Sequence, residues 1–212
     1  MMLRLEKLGG ARLLLVRHGE TAWNREAVLQ GQEDVGLSPS GRLQASALAP
    51  IVARFAPATA VSSDLSRARE TAALLGFEDA RASAVWREAD LGAWTGRAKA
   101  DLQREDAVSY QEWRDGRLDP PGGEGWAALR ERIGEALPAL ADEANYGGAQ
   151  LVVTHGGVIR AACSLLVGLE PNCLVAVDPG SLTVFDFDVN GAARLKAFNV
   201  GGKLFSTEDP SE

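Results

Sequence analysis

Histidine and cysteine are both scarce in this chain of 212 residues, two of each. Cys163 and Cys173 have no Cys-x-x-Cys spacing and no histidine beside them. They read as free thiols, which excludes a disulfide scaffold and a zinc-type ligand set; no metal or cofactor is expected. No apolar run approaches the ~20 residues of a membrane span, and Met1 to Gly10 lacks the apolar core of a signal peptide. A cytoplasmic protein without a membrane partner is therefore expected. Positive charge is also short: 22 Lys and Arg against 29 Asp and Glu give a net charge of −7. That balance disfavours nucleic acid as a partner, and any anionic substrate must be drawn by a local group of cations. Repeats and low-complexity tracts are missing too, so residues 1–212 read as one domain with disorder only at the ends. Homodimerisation is left open.

What is present starts at Leu13-Leu14-Leu15-Val16, four apolar residues that read as a strand buried on both faces. Arg17, His18 and Gly19 follow at its carboxyl end, the edge at which open parallel sheets bind ligands. The second histidine repeats the pattern, with Leu151-Val152-Val153-Thr154 leading into His155-Gly156-Gly157. One such histidine is ordinarily a satisfied polar side chain near a core. Two in matched strand-to-glycine contexts place both imidazoles at one sheet edge, facing one reacting atom.

Elsewhere, Ser38-Pro39 opens a helix expected to run to about Phe55, with Pro50 inside it. Thr59 to Ser62 reads as a strand, and Ser63-Asp64 as the cap of a helix carrying Arg67, Arg69 and Thr71 to Leu75. Arg67 falls in the first turn, where the helix dipole disfavours a cation, which points to an anion nearby; Arg69 reads as solvated. Ala80 to Val85 is a third strand, and two short helices, Lys99 to Glu105 and Ser109 to Arg114, form an insertion at about 97–120. Trp126, Leu129, Ile133, Leu137 and Leu140 have the spacing of one buried helical face. After the strand at Leu151 and a helix over Val158 to Val167, Ser181 to Phe187 and Ala193 to Phe198 form a hairpin around Asn190-Gly191. The expected architecture is α/β: a three-layer α/β/α sandwich with a mostly parallel central sheet and a C-terminal antiparallel hairpin.

The string Arg17-His18-Gly19-Glu20-Thr21 with Trp23-Asn24, and Thr154-His155-Gly156-Gly157 downstream, resembles the histidine phosphatase superfamily, which includes the cofactor-dependent phosphoglycerate mutases. Ser62 to Ala68 resembles that family's second arginine motif. The resemblance implies phosphoryl transfer with His18 as nucleophile, forming a phosphohistidine. It implies Glu88 as proton donor, with Asp90 as the fallback. Arg17 and Arg67 suit the phosphoryl oxygens because a guanidinium bonds phosphate through two parallel N–H groups and stays charged. Asn24, His155 and a backbone N–H at Gly156 complete the expected cradle. Glu20 is assigned to holding its loop. Two positions depart from the family pattern: Gly125 replaces a serine after Pro121-Gly122-Gly123-Glu124, and Thr95 stands where many relatives have glutamate.

Three functions fit these residues. A metal-independent phosphatase acting on a small phosphorylated metabolite is favoured over a mutase, because the insertion mixes Arg97, Lys99, Arg104, Arg114 and Arg117 with six acids and contains no adjacent arginines. A noncatalytic phosphate-binding protein comes last, since every implied catalytic position is occupied. Trp86, Trp94, Tyr110 and Trp113 are expected at the mouth of the site.

Overall fold

The computed structural model describes residues 5–143 and 148–201. The disorder expected at the two ends falls on 1–4 and 202–212, outside the described residues. In chain order the elements are β1 (Arg12–Arg17), α1 (Ala22–Arg25), α2 (Pro39–Ala53), β2 (Pro57–Ser62), α3 (Ser66–Leu74) and β3 (Arg81–Ala82). There follow α4 (Lys99–Glu105), α5 (Ala107–Arg114), α6 (Trp126–Glu143), β4 (Ala149–Thr154), α7 (Gly156–Val167), β5 (Ser181–Phe187) and β6 (Ala193–Gly201).

The sheet runs in the order β3-β2-β4-β1-β5-β6, with β1 to β4 mutually parallel and β5 and β6 antiparallel. Strand alternation explains its two cores. Leu13 and Leu15 point into one layer with Ile133 and Leu137 of α6 and Ile159 and Ala162 of α7. Leu14 and Val16 point the other way, against Leu48 and Val52 of α2 and Ala68 and Ala72 of α3. All four β1 residues are fully buried, each worth about 1.5–3 kcal/mol of apolar burial. The result is the three-layer sandwich with its C-terminal hairpin. A third, smaller cluster of Leu29, Leu91, Trp94, Leu102 and Tyr110 seats α4 and α5 over the carboxyl edge.

Helix α2 starts as its sequence dictates: Ser38 Oγ accepts the Gly41 N–H at 3.0 Å, with Pro39 in the first turn. Pro50 lies inside the helix without dividing it, and Pro138 does the same on the exposed side of α6.

Two local expectations are corrected. The third strand is only Arg81–Ala82, both exposed, because an edge strand with no face to bury gains little from extension; the chain turns at Ala84–Trp86 to bury Trp86 instead. The residues Ser63-Asp64 do not cap α3. Asp64 takes the Arg87 guanidinium through two bonds of 2.7 Å, a stronger partner than a lone N–H, and Asp34 accepts the Ser66 N–H at 2.8 Å in its place.

Candidate active site

Strands β1 and β4 are in register with Arg17 opposite Thr154, so His18 and His155 emerge one step beyond, side by side. Their rings stand 5.0 Å apart, edge to face. The His18 N–H donates to Thr154 O at 3.0 Å, tying the two strand ends together. The turn after His18 passes very close to the first turn of α2: a Cβ on Gly19 would lie 2.3 Å from Gly41 O, and one on Gly41 would lie 2.1 Å from Glu20 O. Only two glycines allow that approach. Glu20 Oε1 accepts the Ser38 hydroxyl at 2.7 Å, which fixes the same turn to the helix cap.

His18 is buried, and its Nδ1 faces Gly19 O at 2.7 Å. A carbonyl accepts only, so Nδ1 carries the proton and the lone pair of the neutral ring is on Nε2. Burial, followed by the neighbouring Arg17 and Arg67 charges, holds His18 well below the usual imidazole range, against a smaller opposing effect of the Gly19 bond. His155 immediately precedes α7 as its N-cap residue, completely buried, and is held low by burial and then by His18, Arg67, Arg17 and Arg132.

Arg17, the last residue of β1, donates Nη1 to Val177 O. Arg67, 1% exposed in the first turn of α3, donates Nη1 to Glu33 O at 2.6 Å and Nη2 to Gly31 O at 2.8 Å. Burial pushes its guanidinium down to about 10, still charged at neutral pH. These carbonyls orient both forks yet leave Arg17 Nε and Arg67 Nε without a partner, as they leave both ring nitrogens of His155. Buried unpaired nitrogens are rare in a folded protein, and these four belong to three residues that line one cavity. Their disposition suits an anion with several acceptor oxygens.

Glu88 lies on the same wall, on the loop after the Ala84–Trp86 turn. Its carboxylate accepts the Gly157 N–H at 3.1 Å to each oxygen and the Ala89 N–H at 3.0 Å. A cavity of about 180 Å³ brings together Arg17, His18, Asn24, Arg67, Glu88, His155 and Gly156. Asn24 Oδ1 is engaged by the Thr21 N–H and hydroxyl, both at 3.1 Å, in the cap of α1. Asp90 is exposed, accepts the Gly92 N–H and lies off the cavity wall.

The same cavity is also lined by Lys99, Arg114 and Arg160, with Trp113 and Trp126. Arg160 Nη2 donates to Arg114 O at 2.6 Å and Pro171 O at 2.9 Å, while the Nε atoms of Arg114 and Arg160 are buried and unpartnered. Burial lowers Lys99 first, then the Arg17 and Arg114 charges. Sequence reading missed this cationic wall. Arg160 stands four residues after Gly156, one helical turn on the same face of α7, and that spacing was the available signal.

The aromatic expectation is corrected. Trp86 is core, and Trp94 and Tyr110 are the filling between α4, α5 and the preceding loop; among the four, Trp113 alone lines the cavity. Gly125 has a local reason, since a Cβ there would lie 2.3 Å from the Asp119 carboxylate. Thr95 packs its hydroxyl toward Gly31, whose carbonyl holds Arg67.

The sequence profile of the histidine phosphatase superfamily (branch 1) matches residues 13–200. The glucosyl-3-phosphoglycerate phosphatase of Mycobacterium tuberculosis is 36% identical over 169 residues, 74% of this chain and 76% of that protein. Phosphoglycerate mutase-like protein 4 of Arabidopsis thaliana is 35% identical over 164 residues, 74% of this chain and 71% of that protein. The native structure of a mycobacterial glucosyl-3-phosphoglycerate phosphatase superposes with a TM-score of 0.80 at 32% identity, covering 90% of this chain and 99% of that one. With the paired histidines, the arginines Arg17 and Arg67 beside them and a match spanning nearly every strand, the chain belongs to the histidine phosphatase superfamily.

Proposed function

We propose that the protein is a phosphatase that hydrolyses a small phosphorylated metabolite through a phosphohistidine on His18, with no metal. The observation that carries this reading is the set of unpaired buried nitrogens of Arg17, Arg67 and His155 beside His18 Nε2. A phosphoryl group placed among them has its oxygens neutralised by fixed donors, with the lone pair of Nε2 free to attack phosphorus. Asn24 and the Gly156 N–H complete the cradle.

In the first step the Nε2–P bond forms and the P–O bond to the substrate breaks. Glu88, as the carboxylic acid, gives its proton to the departing oxygen. In the second step water attacks phosphorus, its proton passes to the Glu88 carboxylate, the Nε2–P bond breaks, and inorganic phosphate leaves with His18 restored. The arginines supply the positive charge that a divalent ion supplies elsewhere. Among the described residues no three His, Cys, Asp or Glu side chains are grouped as metal ligands.

The cationic wall of Lys99, Arg114 and Arg160 favours a substrate with a second anionic group, and the Trp113 and Trp126 rings favour a sugar or other flat face beside it. Arg114 and Arg160 line the same cavity from two elements, which supports the second reading, a mutase, since the insertion has no adjacent arginines in sequence. One assay separates the two readings. Purified protein in chelator is offered a panel of phosphomonoesters that includes glucosyl-3-phosphoglycerate, 3-phosphoglycerate with 2,3-bisphosphoglycerate, sugar phosphates and phosphoserine. Phosphate release in chelator is the expected result. Activity only after a divalent metal is restored would overturn metal independence, and 2-phosphoglycerate formation far faster than phosphate release would establish the mutase.

A further inference from the structure

Glu88 sits on a segment with no regular structure of its own. The Ala84–Trp86 turn ends before it, and Arg87 is extended. Something else must hold the backbone if the carboxyl group is to meet a departing oxygen. Two residues outside the segment do so from both ends. The Glu124 N–H donates to Asp90 O at 2.7 Å, and the Glu124 carboxylate takes Arg132 Nε at 2.8 Å and Nη2 at 2.6 Å. The other side of the same guanidinium reaches the near end: Arg132 Nη1 donates to Val85 O at 2.6 Å and to Arg87 O at 3.1 Å. Gln32 Nε2 adds a bond of 3.1 Å to Glu88 O.

The chemistry of this pair differs from that of a surface ion pair. The two side chains are 21% and 16% exposed, and the contact is a planar fork on both faces, carboxylate on one and main-chain carbonyls on the other. A lysine could neutralise Glu124, but its point-like ammonium on a flexible stem does not present the rigid two-sided geometry. Glu124 ends the Pro121-Gly122-Gly123-Glu124 motif, so the pair also gives that motif a task at the site.

Resting on the assignment of Glu88 as proton donor, we infer that Arg132 and Glu124 are positioning residues that suspend the 85–90 segment and aim Glu88 at the leaving oxygen. Glu124 lines the cavity and Arg132 acts on His155 only through its charge, the last of the effects on that ring, so the larger part of their loss falls on proton donation.

The test uses Arg132→Lys, Arg132→Met and Glu124→Gln beside Glu88→Gln. Single-turnover formation of the phosphoenzyme is followed with an alkyl phosphate and with p-nitrophenyl phosphate, whose leaving group hardly needs a proton. The expected loss with the alkyl ester is about 10²-fold for Arg132→Met, the scale of a ~1 Å misplacement, and much less with p-nitrophenyl phosphate. Inhibition by inorganic phosphate is expected to stay within about twofold. Adding Arg132→Met to Glu88→Gln is expected to cost little more, since both remove one function. Equal losses for both leaving groups, or full additivity with Glu88→Gln, overturn the pair's role. If Arg132→Met does not fold, Arg132→Lys and Glu124→Gln, which keep polar groups in place, decide the same question. An unaffected Glu88→Gln overturns the donor assignment itself, whereas loss there with none in the Arg132 and Glu124 variants overturns only the positioning pair.

Discussion

Gly157 and Glu88 compete for the same space: a Cβ added to Gly157 would lie 2.2 Å from Glu88 Oε1. The glycine is therefore what lets the carboxylate reach the first turn of α7 and bond its N–H. Gly157→Ala should push Glu88 off the wall, lowering turnover of an alkyl phosphate by about 10-fold or more on the misplacement scale. Helix propensity acts the other way on stability, by up to about 1 kcal/mol in favour of alanine. Turnover and thermal midpoint measured together check this; a variant with wild-type turnover would show that the carboxylate is not confined by that glycine.

The two histidines should separate in kind as well as degree. His18→Ala should remove turnover and leave no acid-labile phosphate on the quenched protein, because no lone pair remains in line. On the proposed mechanism His155→Ala removes one donor to the phosphoryl oxygens and should lower turnover by roughly 10²–10³-fold, the range for a lost transition-state donor. Rapid quenching with labelled substrate reads both. Near-normal turnover in His18→Ala would contradict the nucleophile.

Acid should weaken the fold over a definite window. His18 and His155 are held well below the usual range by burial and nearby cations, whereas the unfolded chain takes up protons at both near pH 6.5. Below that pH the unfolded state binds more protons, so stability present above pH 6.5 falls by about 1.4 kcal/mol per pH unit for each histidine until the native rings protonate. Asp64 and Asp186, held low by Arg87 and Arg12, lose their contribution only below about pH 4, outside this window. Denaturant unfolding between pH 7.5 and 5 measures the slope, which His155→Gln should halve. A flat profile would contradict the buried, neutral pair.

Substrate choice should respond to the far wall. Arg160→Met is expected to raise KM about 10-fold or more for a phosphomonoester with a second anionic group, the scale of one lost charge-assisted bond, and to leave p-nitrophenyl phosphate nearly unchanged. An equal effect on both substrates would mean that Arg160 supports the loops and not the ligand.

What could be read from the sequence follows from which signals are local. The Leu13 and Leu151 runs announce buried parallel strands, and a histidine after each needs only strand direction to be placed at one edge. Arg67 is legible because a cation in a first helical turn is locally unfavourable and calls for another cause. The far wall is different: Lys99 and Arg114 lie among acids in sequence, and only the fold brings them to one cavity with Arg160 of α7. Composition likewise cannot tell a tryptophan that fills a core from one that lines a cavity, which is why Trp86 was misplaced and Trp126 went unnoticed as a wall residue. Asp64 shows the same limit, since a capping position is local but the Arg87 that claims it is not.

The parallel register of β1 with β4 has a kinetic consequence. These neighbours in the sheet are joined through residues 18–148, including α2 through α6, so their pairing is a long loop closure and belongs to the slow class of contacts. His18 and His155 cannot approach until that closure is made. Recovery of catalytic activity after dilution from denaturant should therefore trail recovery of helical signal. Simultaneous recovery would mean that the central pair forms as early as the helices around it.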